Sequence, residues 1–68
     1  MLDEKRQVKK IWWNGVNGDE TLTESEDRRL VYFQMYMGDR SDEWIAEEHN
    51  GVETRRHNCR YIATIEWA

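Results

Sequence analysis

With 68 residues, 38% hydrophobic and 35% charged, the chain has room for one domain, near the size below which a hydrophobic core alone rarely gives much net stability. A formal net charge of -4 and a sequence pI near 5.1 argue against general affinity for nucleic acid or anionic membrane, both of which draw on an excess of Lys and Arg. One cysteine excludes an internal disulfide, and no apolar run approaches the ~20 residues that span a bilayer.

These bounds favour a soluble, cytoplasmic protein. The start, Met1 to Arg6, has no apolar signal region behind it. The charge is unevenly distributed. Residues 1–13 sum to +2, residues 19–27 to -5, residues 39–48 to -4 and residues 53–66 to +1, so two acidic blocks sit between two mildly basic ones. No repeat, low-complexity tract or proline marks a linker, and residues 1–68 read as a single domain.

In chain order, "QVKKIWW" at 7–13 is short, β-branched and aromatic, and predicts a first strand that ends in the turn signals Asn14-Gly15 and Asn17-Gly18. Next comes "LTESEDRRLVYFQMYMG". Thr23 with Glu26 fits a capping box, acids fill the first turn, and Gly38 stands where helices commonly end. These signals predict a helix from about Glu24 to Met37, with Leu30, Phe33 and Met37 as its inward stripe and Tyr32, Met35 and Tyr36 pointing elsewhere. The same residues would also suit a strand with Val31, Phe33, Met35 and Met37 on one face.

After the polar loop 39–42, "EWIAEEH" and "VETRRHN" flank Asn50-Gly51, a strong hairpin signal because both residues tolerate positive φ. Asn58 and Cys59 are expected to bend the chain before "RYIATIEW", whose alternation predicts a last strand. The expected order is β-α-β-β-β, an α+β arrangement with about four antiparallel strands and one helix packed on one face of the sheet. An all-β small barrel is the alternative.

The segment "EEHNGVETRRHNC" at 47–59 holds both histidines and the cysteine. A regular two-residue hairpin puts His49 opposite Val52 and Trp44 opposite His57, separating the imidazoles by about 16 Å, too far to share one metal ion. His57 and Cys59 alone fall short of the ligands zinc needs, and Cys59 has no triad to activate it. Its expected role is a small buried hydrophobe. There is no phosphate loop, and paired acids such as Glu47-Glu48 read first as solvated faces. The chain is therefore expected to be no enzyme and to use no cofactor or metal.

Aromatics are the informative excess: four Trp, three Tyr and one Phe. Trp12 and Trp13 are adjacent, so on a strand they face opposite sides and one of them needs a cover other than the core. Small acidic inhibitors made by phages and mobile elements, including anti-CRISPR proteins and other DNA mimics, resemble this chain in size, acidity and lack of catalytic residues. That resemblance implies a protein-binding module that occludes a basic nucleic-acid-handling protein. The expected contacts are Trp13, Tyr32 and Tyr36 as apolar anchors, with Glu24, Asp27, Glu47 and Glu48 steering encounter. A nucleic-acid-binding strip of Lys9, Lys10, Arg55, Arg56 and Arg60 beside Trp12, Trp13 or Tyr61 is the alternative, against which the net acidity counts. Self-assembly is a third reading, and a homodimer would supply burial that so short a chain lacks.

Overall fold

Arg28–Met37, the segment whose caps predict a helix, is a ten-residue strand in the computed structural model, which describes residues 5–68. The expected charge of Asp3 and Glu4 and the reading of the first four residues lie outside that range. The strands are β1 (Arg6–Gly15), β2 (Gly18–Thr23), β3 (Arg28–Met37), β4 (Arg40–His49), β5 (Val52–Asn58) and β6 (Thr64–Trp67), with a 3-10 turn at Cys59–Tyr61 before β6. No α-helix occurs among the described residues, so the α+β expectation is wrong. The fold is a curled, all-antiparallel half-barrel.

The reason is local as well as tertiary. Instead of opening a helix, Ser25 and Arg28 exchange backbone hydrogen bonds of 3.0 and 3.3 Å across a tight turn, and the Ser25 hydroxyl donates to Asp27 Oδ1 at 2.9 Å. Such side-chain bonding is what makes Ser and Asp as useful in turns as in caps. Gly38, read as a helix stop, has φ 68° and is the first residue of the two-residue turn Gly38-Asp39 between Met37 and Arg40. A Gly-Asp pair between strand-forming runs is itself a hairpin signal. Gly38→Ala is expected to lower stability by about 1 kcal/mol, because a Cβ disfavours this left-handed conformation. A urea titration followed by Trp fluorescence measures it.

β1 organises the sheet. β2 pairs with its Lys10–Gly15 half and β3 with Arg6–Val8, while β6 pairs with Val8–Trp12. Since Val8 and Lys10–Trp12 each have two partners, β2 and β3 must share one edge of β1 and β6 takes the other. The turn at 24–27 bulges out where β2 hands over to β3, tied by the Glu24 amide to the Lys9 carbonyl at 2.9 Å. β3, β4 and β5 then form a meander.

Val8 and Ile11 both point inward although three residues apart, because the β1–β6 register shifts between Val8 and Lys10. With Leu22, Leu30 and Ile45 they form the core, and Trp13, Tyr32, Cys59, Ile62 and Ile65 pack around it. The opposite face of β3 and β4 buries Phe33 and Ala46, with the Arg56 guanidinium 5.1 Å from the centre of the Phe33 ring. β3 is thus apolar on both faces, which erases the period-two alternation a half-buried strand would show. Of the adjacent tryptophans, Trp13 takes the core side. Trp12 takes the other, where Lys10 lies 4.9 Å from its ring centre.

Candidate docking site

The hairpin of the two histidines holds a buried charge cluster. Asn50 (φ 53°) and Gly51 (φ 83°) make the expected turn, and His49 does oppose Val52. A bulge between Glu47 and Glu48 then shifts the register, so that Arg55 opposes Glu47, His57 opposes Ile45 and Trp44 opposes Asn58. The expected pairing of His57 with Trp44 is therefore wrong. The His57 ring lies instead beside Trp13, centroids 5.4 Å apart.

The expected wide separation of the imidazoles is wrong too, because both reach the one Glu47 carboxylate. His49 Nε2 is 2.7 Å from Glu47 Oε2, and His57 Nε2 is 3.4 Å from Oε1. Arg55 donates to Oε1 through Nε at 2.9 Å, with Nη2 at 2.8 Å, and Arg28 Nε stands 3.8 Å from Oε2, too far for a hydrogen bond. Burial opposes the charge on Glu47, but the bonds from His49, Arg55 and His57 outweigh it and hold its carboxyl down at about 2. Glu47 is 3% exposed, so its expected role as a surface contact is wrong: it is an internal counter-ion. Among the described residues no group of three or more His, Cys, Asp or Glu side chains is arranged to hold a metal ion. Cys59 is half-buried, and burial with nearby Glu43 pushes its thiol up to about 11, far from a nucleophile's range.

The other three expected acids do converge. The Asn50 amide donates to the Asp27 carbonyl at 3.0 Å, docking the β4–β5 hairpin tip onto the turn at 24–27. Between them opens a groove of about 550 Å³ walled by Glu24, Glu26, Asp27 and Glu48, with Arg29 as the single cation among the described residues that line it. Gln7 Nε2 fixes Glu24 at 2.6 Å, and the Ser25 hydroxyl first, then the turn's own backbone, hold the Asp27 carboxyl below its ordinary range. The Glu26 and Glu48 side chains have no hydrogen bond or ion pair with any described residue.

The aromatic anchors are dispersed. Tyr32 is half-buried against the core, edge-on to Trp67 at 5.3 Å, its hydroxyl raised by burial and by Glu43. Tyr36 is exposed near the Gly38-Asp39 turn. Trp13 lines a smaller groove with Tyr61, on another part of the surface from the acidic one. The alternative basic strip is largely spent within the chain: Lys9 pairs with Glu66, Arg55 with Glu47, Arg56 with Glu53, and Lys10 covers Trp12. Glu26 escaped notice as an individual contact although its acidic block is plain in the sequence. The Glu47 cluster had a legible trace in Glu47-x-His49 and Arg55-x-His57, a period-two polar pattern on facing strands.

Among the described residues no helix is long and apolar enough to cross a membrane. No protein-family model, curated protein or solved structure shows a significant match to this chain.

Proposed function

We propose that this chain is a non-enzymatic protein-binding module that takes a basic segment of its partner into the acidic groove between the turn at 24–27 and the Asn50-Gly51 hairpin tip. One observation carries the reading: carboxylates from positions 24–27 and 48 meet around one open groove, with two of them uncommitted to any described residue. A groove lined mainly by one sign of charge, here four acids against Arg29, concentrates and steers the opposite sign. In its sharper form the partner is a basic nucleic-acid-handling protein, and occupation of its nucleic-acid groove inhibits it, as a DNA mimic would. Cytoplasmic residence fits a chain with a single unpaired cysteine.

The test compares the wild type with Glu26→Lys/Glu48→Lys, using a synthetic Lys- and Arg-rich peptide and lysate of the source cells. Association with the peptide is expected to slow about tenfold or more at low salt, and the proteins captured by the wild type to be lost. Thermal melting should stay unchanged, because both side chains lie outside the core. Unchanged association overturns the reading. Steeply salt-dependent capture of single-stranded DNA by both forms would point to the basic strip instead, and a concentration-dependent mass in light scattering to self-assembly.

A further inference from the structure

We propose that the groove between the end of β1 and the 3-10 turn is a pocket for one arginine side chain of a partner protein. The inference shares with the proposed function only the basic character of the partner, and it concerns a different part of the surface.

The groove measures about 200 Å³ and is lined by Trp13, His57, Asn58, Tyr61 and Ile62. That is below the size of drug-sized pockets and suits a single long side chain. Its walls are aromatic and pre-set. Trp13 is backed by the core and by the His57 ring, and His57 is itself anchored on the Glu47 carboxylate. The Asn58 side chain accepts from the Arg60 amide at 2.9 Å and the Ile62 amide bonds to the Cys59 carbonyl at 3.1 Å, closing the turn that holds Tyr61. The Tyr61 side chain remains in solvent, at 71% exposure for the residue.

Elsewhere the chain satisfies such rings with its own cations. Arg6 lies 4.0 Å from the centre of the Trp67 ring, Lys10 4.9 Å from Trp12 and Arg56 5.1 Å from Phe33. Neither Trp13 nor Tyr61 has an Arg or Lys over its ring from any described residue. Arg60 precedes Tyr61 but does not line the groove.

An acid neighbours Trp13 on the same face of the sheet, although like Arg60 it does not line the groove. Glu20 pairs directly with Trp13 across β1 and β2, so the two share a face about 5 Å apart in backbone position. Its carboxylate extends over Gly15, where a Cβ would fall 2.5 Å from the carboxyl carbon. Glycine at 15 therefore makes room for this acid. Glu20 is exposed and its side chain has no hydrogen bond or ion pair with any described residue. An aromatic groove with an acid on the adjoining strand suits a flat guanidinium, which stacks on rings and offers paired donors to a carboxylate. The ammonium of lysine is compact, strongly hydrated and a poorer fit.

The test is an NMR titration of the ¹⁵N-labelled full chain with capped pentapeptides carrying one central arginine, lysine or citrulline. The arginine peptide is expected to shift the Trp13 indole N–H and the amides of Gly15 and Tyr61 in a saturable manner. Lysine should bind several-fold more weakly and citrulline, which keeps the shape without the charge, should give no saturable shift. Tyr61→Ala and Glu20→Gln, both at exposed positions, should each weaken arginine binding about tenfold. Glu26→Lys/Glu48→Lys should leave it unchanged, which separates this pocket from the acidic groove. Equal binding of citrulline or lysine, or wild-type affinity in Tyr61→Ala, overturns the assignment.

Discussion

Glu47→Gln is expected to destabilise the protein by about 3 kcal/mol, in line with the 3–5 kcal/mol typical of breaking a buried ion pair from one side. The substitution keeps the shape and removes the charge on which Arg55, His49 and His57 converge. Arg28 is exposed to the loss as well, because its buried Nε–H donates to no described residue and only the nearby carboxylate's attraction offsets its charge. A core of this size rarely supplies more than about 3–5 kcal/mol in all, so the variant should be largely unfolded at 37 °C. Glu48→Gln is the control: the neighbouring side chain lies outside the cluster and its change should stay within about 0.5 kcal/mol. Urea titrations followed by Trp fluorescence compare the two, and equal midpoints would show that the cluster contributes nothing net.

The same carboxylate gives the fold an acid limb. Its ordinary value near 4.5 falls to about 2 in the folded chain, so the unfolded state binds the proton first on acidification. The contribution is fully present above pH 4.5 and is lost as pH falls from there toward 2, amounting to about 3 kcal/mol at most. Asp27 is also lowered, and subtracting the Glu47→Gln profile from that of the wild type removes its share. Melting temperatures measured between pH 6 and pH 2 should therefore converge for the two proteins at the acid end. Parallel curves would contradict the linkage.

Short-range chemistry in this sequence is legible wherever one turn decides the outcome. Asn50-Gly51 specifies its hairpin because the conformation it needs is nearly its own. The stretch 23–38 is not legible in the same way. Thr23, Ser25, Asp27 and Gly38 serve a cap or a turn equally well, and pairing of β3 with both β1 and β4 resolves the choice. The site divides along the same line. Glu24 and Asp27 are visible as an acidic block, but their meeting with Glu48 depends on the Asn50 amide reaching the Asp27 carbonyl, a contact between segments more than twenty residues apart. Glu47 and Glu48 look alike as letters. Strand alternation puts the first on the core face opposite Leu30 and the second on the groove, and a bulge, with Thr54 donating to the Glu47 carbonyl at 3.2 Å, sets Arg55 opposite the buried carboxylate.

Leu30→Ala is expected to be the most damaging of three truncations that the helical and stranded readings rank differently. On a helix, Leu30, Phe33 and Met37 would form one inward stripe and their losses would be comparable. On β3 they have three separate environments. Leu30 is fully buried among Val8, Ile11 and Ile45, Phe33 lies on the opposite face beneath Arg56, and Met37 is 63% exposed beside the Gly38-Asp39 turn. Removing a buried leucine costs about 2–5 kcal/mol through lost transfer energy and the cavity left behind, which approaches the whole stability of a domain this small. Phe33→Ala should cost less than Leu30→Ala because its site opens toward solvent around Arg56, and Met37→Ala should stay within about 0.5 kcal/mol. Leu30→Met, which conserves volume, should remain folded and lose under about 1.5 kcal/mol, keeping the comparison measurable if the alanine variant does not fold. Circular dichroism melts of the four proteins establish the order. A Met37→Ala loss equal to that of Leu30→Ala would restore the helical stripe and remove the half-barrel on which both grooves depend.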